Sequence, residues 1–255
     1  LITKETITSK NFEIMLKKIT LFTACIMLTL TFSGCETLQG VLGTALNGTT
    51  DNLTNDQVAG GLKDALKQGV TKGVNTLSAR DGFFKNMAVK ILFPPEAQKV
   101  EQKLRALGFN GMVDNAVEKL NRAAEDAALG AKDIFVEAIV GMTVTDAMNI
   151  LMGEKNACTN YLKKTTSAAL YQKMNPVIKN SLSKVGALTA WNEVVTRYNQ
   201  IPLIEKVNPN LDDHVTKKAI DGVFMMVEKE EGEIRKNPLS RGTELMKKVF
   251  AKQDK

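Results

Sequence analysis

The sequence predicts an all-α fold, a compact bundle of about eight to ten helices behind a leader and a tether, on three observations. Apolar residues recur every three or four positions across nearly the whole chain beyond residue 55. Ala and Leu are common, whereas aromatic residues make up only 5% of the 255 residues. Helix start and stop signals punctuate the periodic stretches, with capping boxes at Thr54-x-x-Gln57 and Thr143-x-x-Asp146 and breaks at Gly and Pro.

Residues 1–14 fit no element of this plan and read as sequence upstream of a start at Met15. Met15-Leu16-Lys17-Lys18 is followed by the apolar run Ile19 to Phe32. Two lysines, a short apolar core and then small residues are the layout of a secretory signal peptide, and the run falls short of the roughly 20 residues a spanning helix needs. Phe32-Ser33-Gly34-Cys35 ends it. This resembles a bacterial lipobox, with small residues that admit a peptidase and a cysteine whose thiol receives a diacylglycerol. Phe32 departs from the commoner Leu, which leaves ordinary signal cleavage as the alternative. The expectation is a signal over 15–34 and lipid on Cys35. Three acyl chains, at roughly 0.8 kcal/mol per buried methylene, hold firmly where one is marginal. Residues 35–55, rich in Gly, Thr and Asn, read as a tether.

Residues 56–255 are expected to form a single helical domain. Val58, Leu62, Leu66, Val70, Val74 and Leu77 stripe the first helix, about Asp56 to Leu77, and Ala65, Gly69 and Gly73 form a small-residue ridge for another helix. Asp81-Gly82 marks a turn, and Val89 to Phe93 suggests an extended stretch. Pro95-Glu96 opens a helix that runs to about Leu107 and stops at Gly108. Further helices are expected at 111–128, 130–141, 144–152, 154–171, 173–185, 189–200, 211–236 and 241–252. The breaks fall at Gly141, Gly153, Pro176, Gly186, Pro202, Pro209 and Pro238, and Asn210 is placed to cap the helix from Leu211.

Charge and cysteine content narrow the function. The whole chain carries +6. Losing residues 1–34 removes four lysines and two glutamates, which leaves +4 on the remainder. This is mild for a nucleic-acid binder, and an exported protein seldom meets nucleic acid, so none is expected as a partner. Of three cysteines, Cys25 leaves with the signal and Cys35 is committed to lipid. Cys158 then has no disulfide partner, so the fold must stand on its apolar core.

No catalytic constellation emerges. His214 is the sole histidine and lacks a partner at i+4, so neither a metal site nor a Ser-His-Asp triad is expected. Cys158 reads as a small core residue. Glu118, Glu125 and Asp126 all lie within helical reach of Arg122, either as a solvated face or as a partly buried network. Glu231 with Arg235, and Glu244 with Lys248, form acid-first pairs. Arg241 opposes the positive end of the last helix, which suggests another task for it. Nine methionines remain after processing: Met87, Met112, Met142, Met148, Met152, Met174, Met225, Met226 and Met246. They read as core filling, or as the lining of an adaptable apolar cavity.

Four stretches carry a resemblance: "GLKDALKQGV…ARDGFFKNMAVKILFP", "LNRAAEDA", "MTVTDAMNILMGEKNACTNYL" and "KAIDGVFMMVEKEEGEIRKNPLSRGTELMKKVF". Taken in order over about residues 56–252, they resemble the bacterial exported proteins grouped as domain-of-unknown-function family 4197. The resemblance implies an all-helical envelope protein, often a lipoprotein, with no assigned reaction. It also implies that Asn121, Arg122, Glu125, Asp146, Tyr161, Arg235 and Arg241 contribute to a shared polar network or binding groove. Cys158 stands where the pattern resembles Ala, and His214 where it resembles Tyr, which weakens a catalytic role for either.

The reading is therefore a membrane-anchored envelope lipoprotein, a non-catalytic binding or scaffold protein at the periplasmic face of the outer membrane. Its expected partners are the membrane, through Cys35, and an envelope protein or apolar ligand, with no cofactor and no metal. One alternative is a carrier of lipid in a methionine-lined cavity. Another is a hydrolase or lyase using carboxylates such as Glu125 and Asp146.

Overall fold

Helix α1, Asn55–Ser78, begins where Thr54 and Gln57 satisfy each other's main chain. The Thr54 hydroxyl accepts the Gln57 N–H at 3.2 Å, and the Gln57 side chain accepts the Thr54 N–H at 2.9 Å. The computed structural model describes residues 53–200, 202, 203, 206 and 210–251. The signal, Cys35 and most of the tether lie outside these residues. From Leu53 onward the chain belongs to one compact unit.

After α1 the chain is irregular from 79 to 94, then makes a 3-10 turn at Pro95–Ala97 and helix α2, Gln98–Ala106. There follow α3 (Asn110–Ala128), α4 (Ala131–Val140), α5 (Val144–Met152), α6 (Ala157–Lys184), α7 (Ala187–Asn199) and α8 (Leu211–Lys236). A 3-10 turn at Pro238–Ser240 leads to α9, Glu244–Phe250. No strand occurs among the described residues. The stretch Val89 to Phe93 pairs with no strand: the N–H groups of Val89 and Lys90 go to the Asn86 carbonyl, and side chains bond Ile91 and Leu92.

Helix α8 is the spine. It packs along α6 on one side and α1 on the other, while α3 lies against α6, and α1 also meets α4, α5 and α9. The expected small-residue ridge is what lets α1 and α8 come close. A Cβ on Gly69 would stand 3.4 Å from the Ile234 side chain, and one on Gly73 would stand 3.5 Å from Met226. The core between the helices is filled by Leu62, Leu77, Phe83, Leu120, Phe135 and Leu170, all essentially without solvent exposure. Phe135 and Phe224 meet edge to face, 5.7 Å between ring centres, a favoured aromatic geometry.

Three expectations need correction. The helices read at 154–171 and 173–185 are one continuous helix, α6, with Pro176 inside it. Leu170, Met174, Ile178 and Leu182 form an unbroken buried face through the proline. Packing of that face outweighs the missing N–H, a defect of about 3 kcal/mol, and Pro176 itself faces solvent. Asn210 occupies the N-cap position of α8 but makes no side-chain capping bond. The last helix starts at Glu244, capped by the Thr243 hydroxyl, and Glu244 pairs with Lys247 at 2.6 Å rather than with Lys248.

The Asp81-Gly82 turn is confirmed and tightly constrained. Asp81 is left-handed, with φ of 70°. A Cβ on Gly82 would lie 2.4 Å from the Thr76 carbonyl oxygen and 2.5 Å from that of Leu77. Main chain at the end of α1 cannot yield to it. Gly82→Ala is therefore expected to destabilise by about 3 kcal/mol. Gly60→Ala in the same helix meets nothing within 4 Å and should stabilise by roughly 0.5–1 kcal/mol. Urea unfolding midpoints of the two variants check both signs.

Candidate functional site

The polar residues of α3 grip the irregular segment 79–94. Asn121 is fully buried. Its Oδ1 accepts the Ile91 N–H at 2.8 Å, and its Nδ2 donates to the carbonyls of Ile91 and Val117, both at 2.8 Å. One turn on, Oε1 of Glu125 accepts the N–H groups of Phe83 and Phe84, each at 3.1 Å. Its Oε2 pairs with Arg122 at 2.6 Å. Arg122 reaches Asp81 at 2.7 Å and Glu118 at 2.9 Å. The Glu125 side chain is only 5% exposed and that of Arg122 25%, so this is the partly buried network rather than a solvated face. Asp126, expected on Arg122, instead accepts from the Ser181 hydroxyl.

The electrostatics follow from these contacts. Glu125, despite the opposing effect of burial, holds the Arg122 guanidinium above its ordinary range, with Asp81 and Glu118 adding to it. Hydrogen bonds from Arg122 and then Lys85 hold the Asp81 carboxyl below its ordinary range. The Phe84 ring lies between two cations, Lys90 Nζ at 4.6 Å and the Arg122 guanidinium at 5.3 Å.

A second ion pair, on α8, caps two other helices. Glu231 and Arg235 meet at 2.9 Å with side chains only 3% and 9% exposed. Glu231 accepts the N–H groups of Cys158 and Thr159, at 3.0 and 2.9 Å, and the Thr159 hydroxyl at 2.8 Å. It thereby supplies the cap that Asn156 does not give α6. Arg235 donates to the carbonyls of Ile150 and Leu151 at the end of α5, at 2.8 and 3.3 Å. Arg241, 2% exposed, donates to the carbonyls of Ile234 and Arg235, both at 3.0 Å, and lies over the Phe250 ring. Its other task is thus at the negative end of α8.

Asp146 closes the Thr143 capping box of α5, and its bonds from Thr143 hold the carboxyl below its ordinary range. Burial first, and then the Asp146 charge, push the Tyr161 phenol up. By direct contact the predicted residues therefore divide. Asn121, Arg122 and Glu125 act on the loop after α1. Asp146 with Tyr161, and Arg235 with Arg241, belong to the helix ends around α5, α6 and α8. The hydrogen bonds and ion pairs of Arg122 among the described residues all go to Asp81, Glu118 and Glu125.

His214 and Cys158 also serve the fold. The His214 ring nitrogen Nε2 bonds the Leu92 carbonyl at 3.1 Å, a third hold on the same loop. Cys158 is buried, and desolvation pushes its thiol well up, the opposite of an activated nucleophile. Among the described residues no group of His, Cys, Asp or Glu is placed to hold a metal ion. Met142, Met174, Met226 and Met246 fill the core, whereas Met87, Met112, Met152 and Met225 face solvent. Two open grooves adjoin at Thr76. One, of about 680 Å³, is lined by α1, and the other, of about 430 Å³, by residues of the loop.

Sequence reasoning missed Asp81 as the partner of Arg122 and Glu231 as the cap of α6. Both are contacts between segments far apart in sequence. A signal was present in α3, where Asn121 and Glu125 fall in phase with buried Val117, Leu120, Ala124 and Ala128. Polar groups on an inward face imply buried partners.

Fold and site together define an all-helical body whose buried charges act on its own main chain. The profile of the family described as "Protein of unknown function (DUF4197)" matches residues 52–251, and the chain belongs to that family. No curated protein and no solved structure matches the chain.

His214 gives the site a measurable pH dependence. Burial holds its pKa below the ordinary 6.5, against the bond to Leu92, while Lys218 lowers it and Glu96 and Asp213 raise it slightly. The unfolded chain thus takes up a proton near pH 6.5 while the folded ring still resists. Stability is full above that value and falls as pH drops through it towards the folded pKa. Because the chain has one histidine, unfolding midpoints between about pH 7.5 and 5.5 should fall in the wild type. His214→Tyr should flatten that slope.

Proposed function

We propose that this chain is a lipid-anchored envelope protein whose helical body binds or scaffolds a protein partner. It is held through Cys35 at the periplasmic face of the outer membrane and performs no reaction of its own. The observation that carries the binding reading is how the buried carboxylates are used. Both oxygens of Glu125 are taken by Phe83, Phe84 and Arg122, and both of Glu231 by Cys158, Thr159 and Arg235. An acid–base pair needs one carboxyl poised to donate a proton and another to accept it. Asp146, held below its ordinary range by Thr143, is not poised to donate.

The anchor is supported by the layout of Lys17-Lys18, the apolar run and Phe32-Ser33-Gly34-Cys35. Among the described residues no single helix is long and apolar enough to cross a membrane. Metabolic labelling with a fatty-acid analogue tests this in cells making wild type or Cys35→Ala. Label on the wild type and none on the variant is expected, and equal labelling of the two would end the lipoprotein reading.

A further inference from the structure

We propose that the two grooves beside α1 form one docking site for an acidic, extended polypeptide segment of a partner protein. The proposal deepens the binding reading above and does not depend on the lipid anchor. The first groove is lined by Lys67, Gln68, Thr71, Lys72, Asn75 and Thr76, and the second runs on from Thr76 past Arg80, Asp81, Lys85, Asn86 and Met87. Residues 67 to 76 of α1 alone extend about 14 Å. With the loop beyond, the site takes about six residues of extended chain.

The lining sets the chemistry. Lys67, Lys72, Arg80 and Lys85 face a single lining carboxylate, Asp81, whose charge Arg122 and Lys85 already offset. Lys72 is steadied by the buried Glu230 at 2.8 Å, and Lys85 by Asp81 at 2.9 Å. Lys67 and Arg80 hold no ion pair among the described residues. Such a field attracts negative charge and speeds its approach.

The Asn75 amide and the Thr71 hydroxyl offer both donors and acceptors, the Asn86 amide keeps its donors beside the bond it accepts from Ala88, and the Thr76 hydroxyl keeps its acceptor beside the bond it gives Lys72, whereas the Gln68 amide is already tied to the Ser240 carbonyl. These suit the alternating N–H and C=O groups of a peptide main chain. A membrane-docking face sets Trp, Phe or Leu side chains among its cations, whereas the apolar surface here comes from the stems of polar side chains, with Met87 the one large apolar side chain among the described lining residues. The loop is rigidly held from behind by Glu125, Asn121 and His214, so the site is formed before a partner arrives and little ordering is needed on binding.

The test uses the purified full-length chain and fluorescence anisotropy with labelled hexaglutamate. Hexalysine is the control peptide, and vesicles of phosphatidylcholine with or without phosphatidylglycerol are the membrane arm. Hexaglutamate should bind, hexalysine should not, and added salt should weaken binding. Lys67→Glu with Arg80→Glu should weaken it about tenfold or more, with circular dichroism and unfolding midpoint unchanged. The milder Lys67→Gln with Arg80→Gln pair should fall between, and serves if the reversal disturbs folding. Absence of hexaglutamate binding, or binding that both variants leave intact, overturns the proposal. So does capture by phosphatidylglycerol vesicles that the variants abolish while hexaglutamate stays unbound. Labelling of Cys35 is read separately, so failure of the anchor and failure of the groove are distinguishable.

Discussion

Asn121 and Glu125 stand where the apolar stripe of α3 would otherwise place two more hydrophobic side chains, and the fold depends on their polarity. The segment from 79 to 94 runs against the core without helix or strand to pair its main chain. Turn bonds such as those from Gly82 to Ala79 and from Asn86 to Phe83 pair part of it, and because a buried N–H or C=O left without a partner costs about 1–3 kcal/mol, side chains must supply the rest. Asn121 satisfies both main-chain groups of Ile91, and Glu125 satisfies two successive N–H groups at Phe83 and Phe84. With these in place Phe83 is delivered into the core against Gly222, where a Cβ would sit 2.7 Å from its ring. Arg122 then neutralises Glu125 and reaches across to Asp81, which shapes the turn.

The same logic recurs at the helix ends. Glu231 and Arg235 lie one turn apart on α8, where Glu231 accepts from the first turn of α6 and Arg235 donates to the last carbonyls of α5. A single buried pair thus joins three helices. Removing either partner would strand the other as a buried charge, a loss of about 3–5 kcal/mol. Arg241 repeats the device at the end of α8 itself. The charged residues that stand out in the sequence are therefore largely devices for finishing main-chain hydrogen bonds.

Local signals explain what was legible in the sequence. Thr54 with Gln57 and Thr143 with Asp146 act within one turn, so their capping boxes and the helix starts beside them are readable from spacing alone. Gly69 and Gly73 announce a close helix crossing, although not that α8 is the helix that crosses. Pro176 misleads because propensity argues for a break, whereas four buried residues in helical phase hold α6 together through it. Asp81, Glu231 and His214 were beyond reach for a common reason. Each acts on a segment distant in sequence, and spacing does not encode which segment. Their meaning appears only once α3 and α8 are seen to press on the same loop and the same helix ends.

If buried side chains hold the loop, its main chain should be as hard to open as the helices that grip it. Amide hydrogen exchange at Phe83, Phe84 and Ile91 measures this directly. The account predicts opening free energies for all three close to those of buried amides in α3. Exchange at the rate of unstructured chain, with α3 itself still protected, would contradict it.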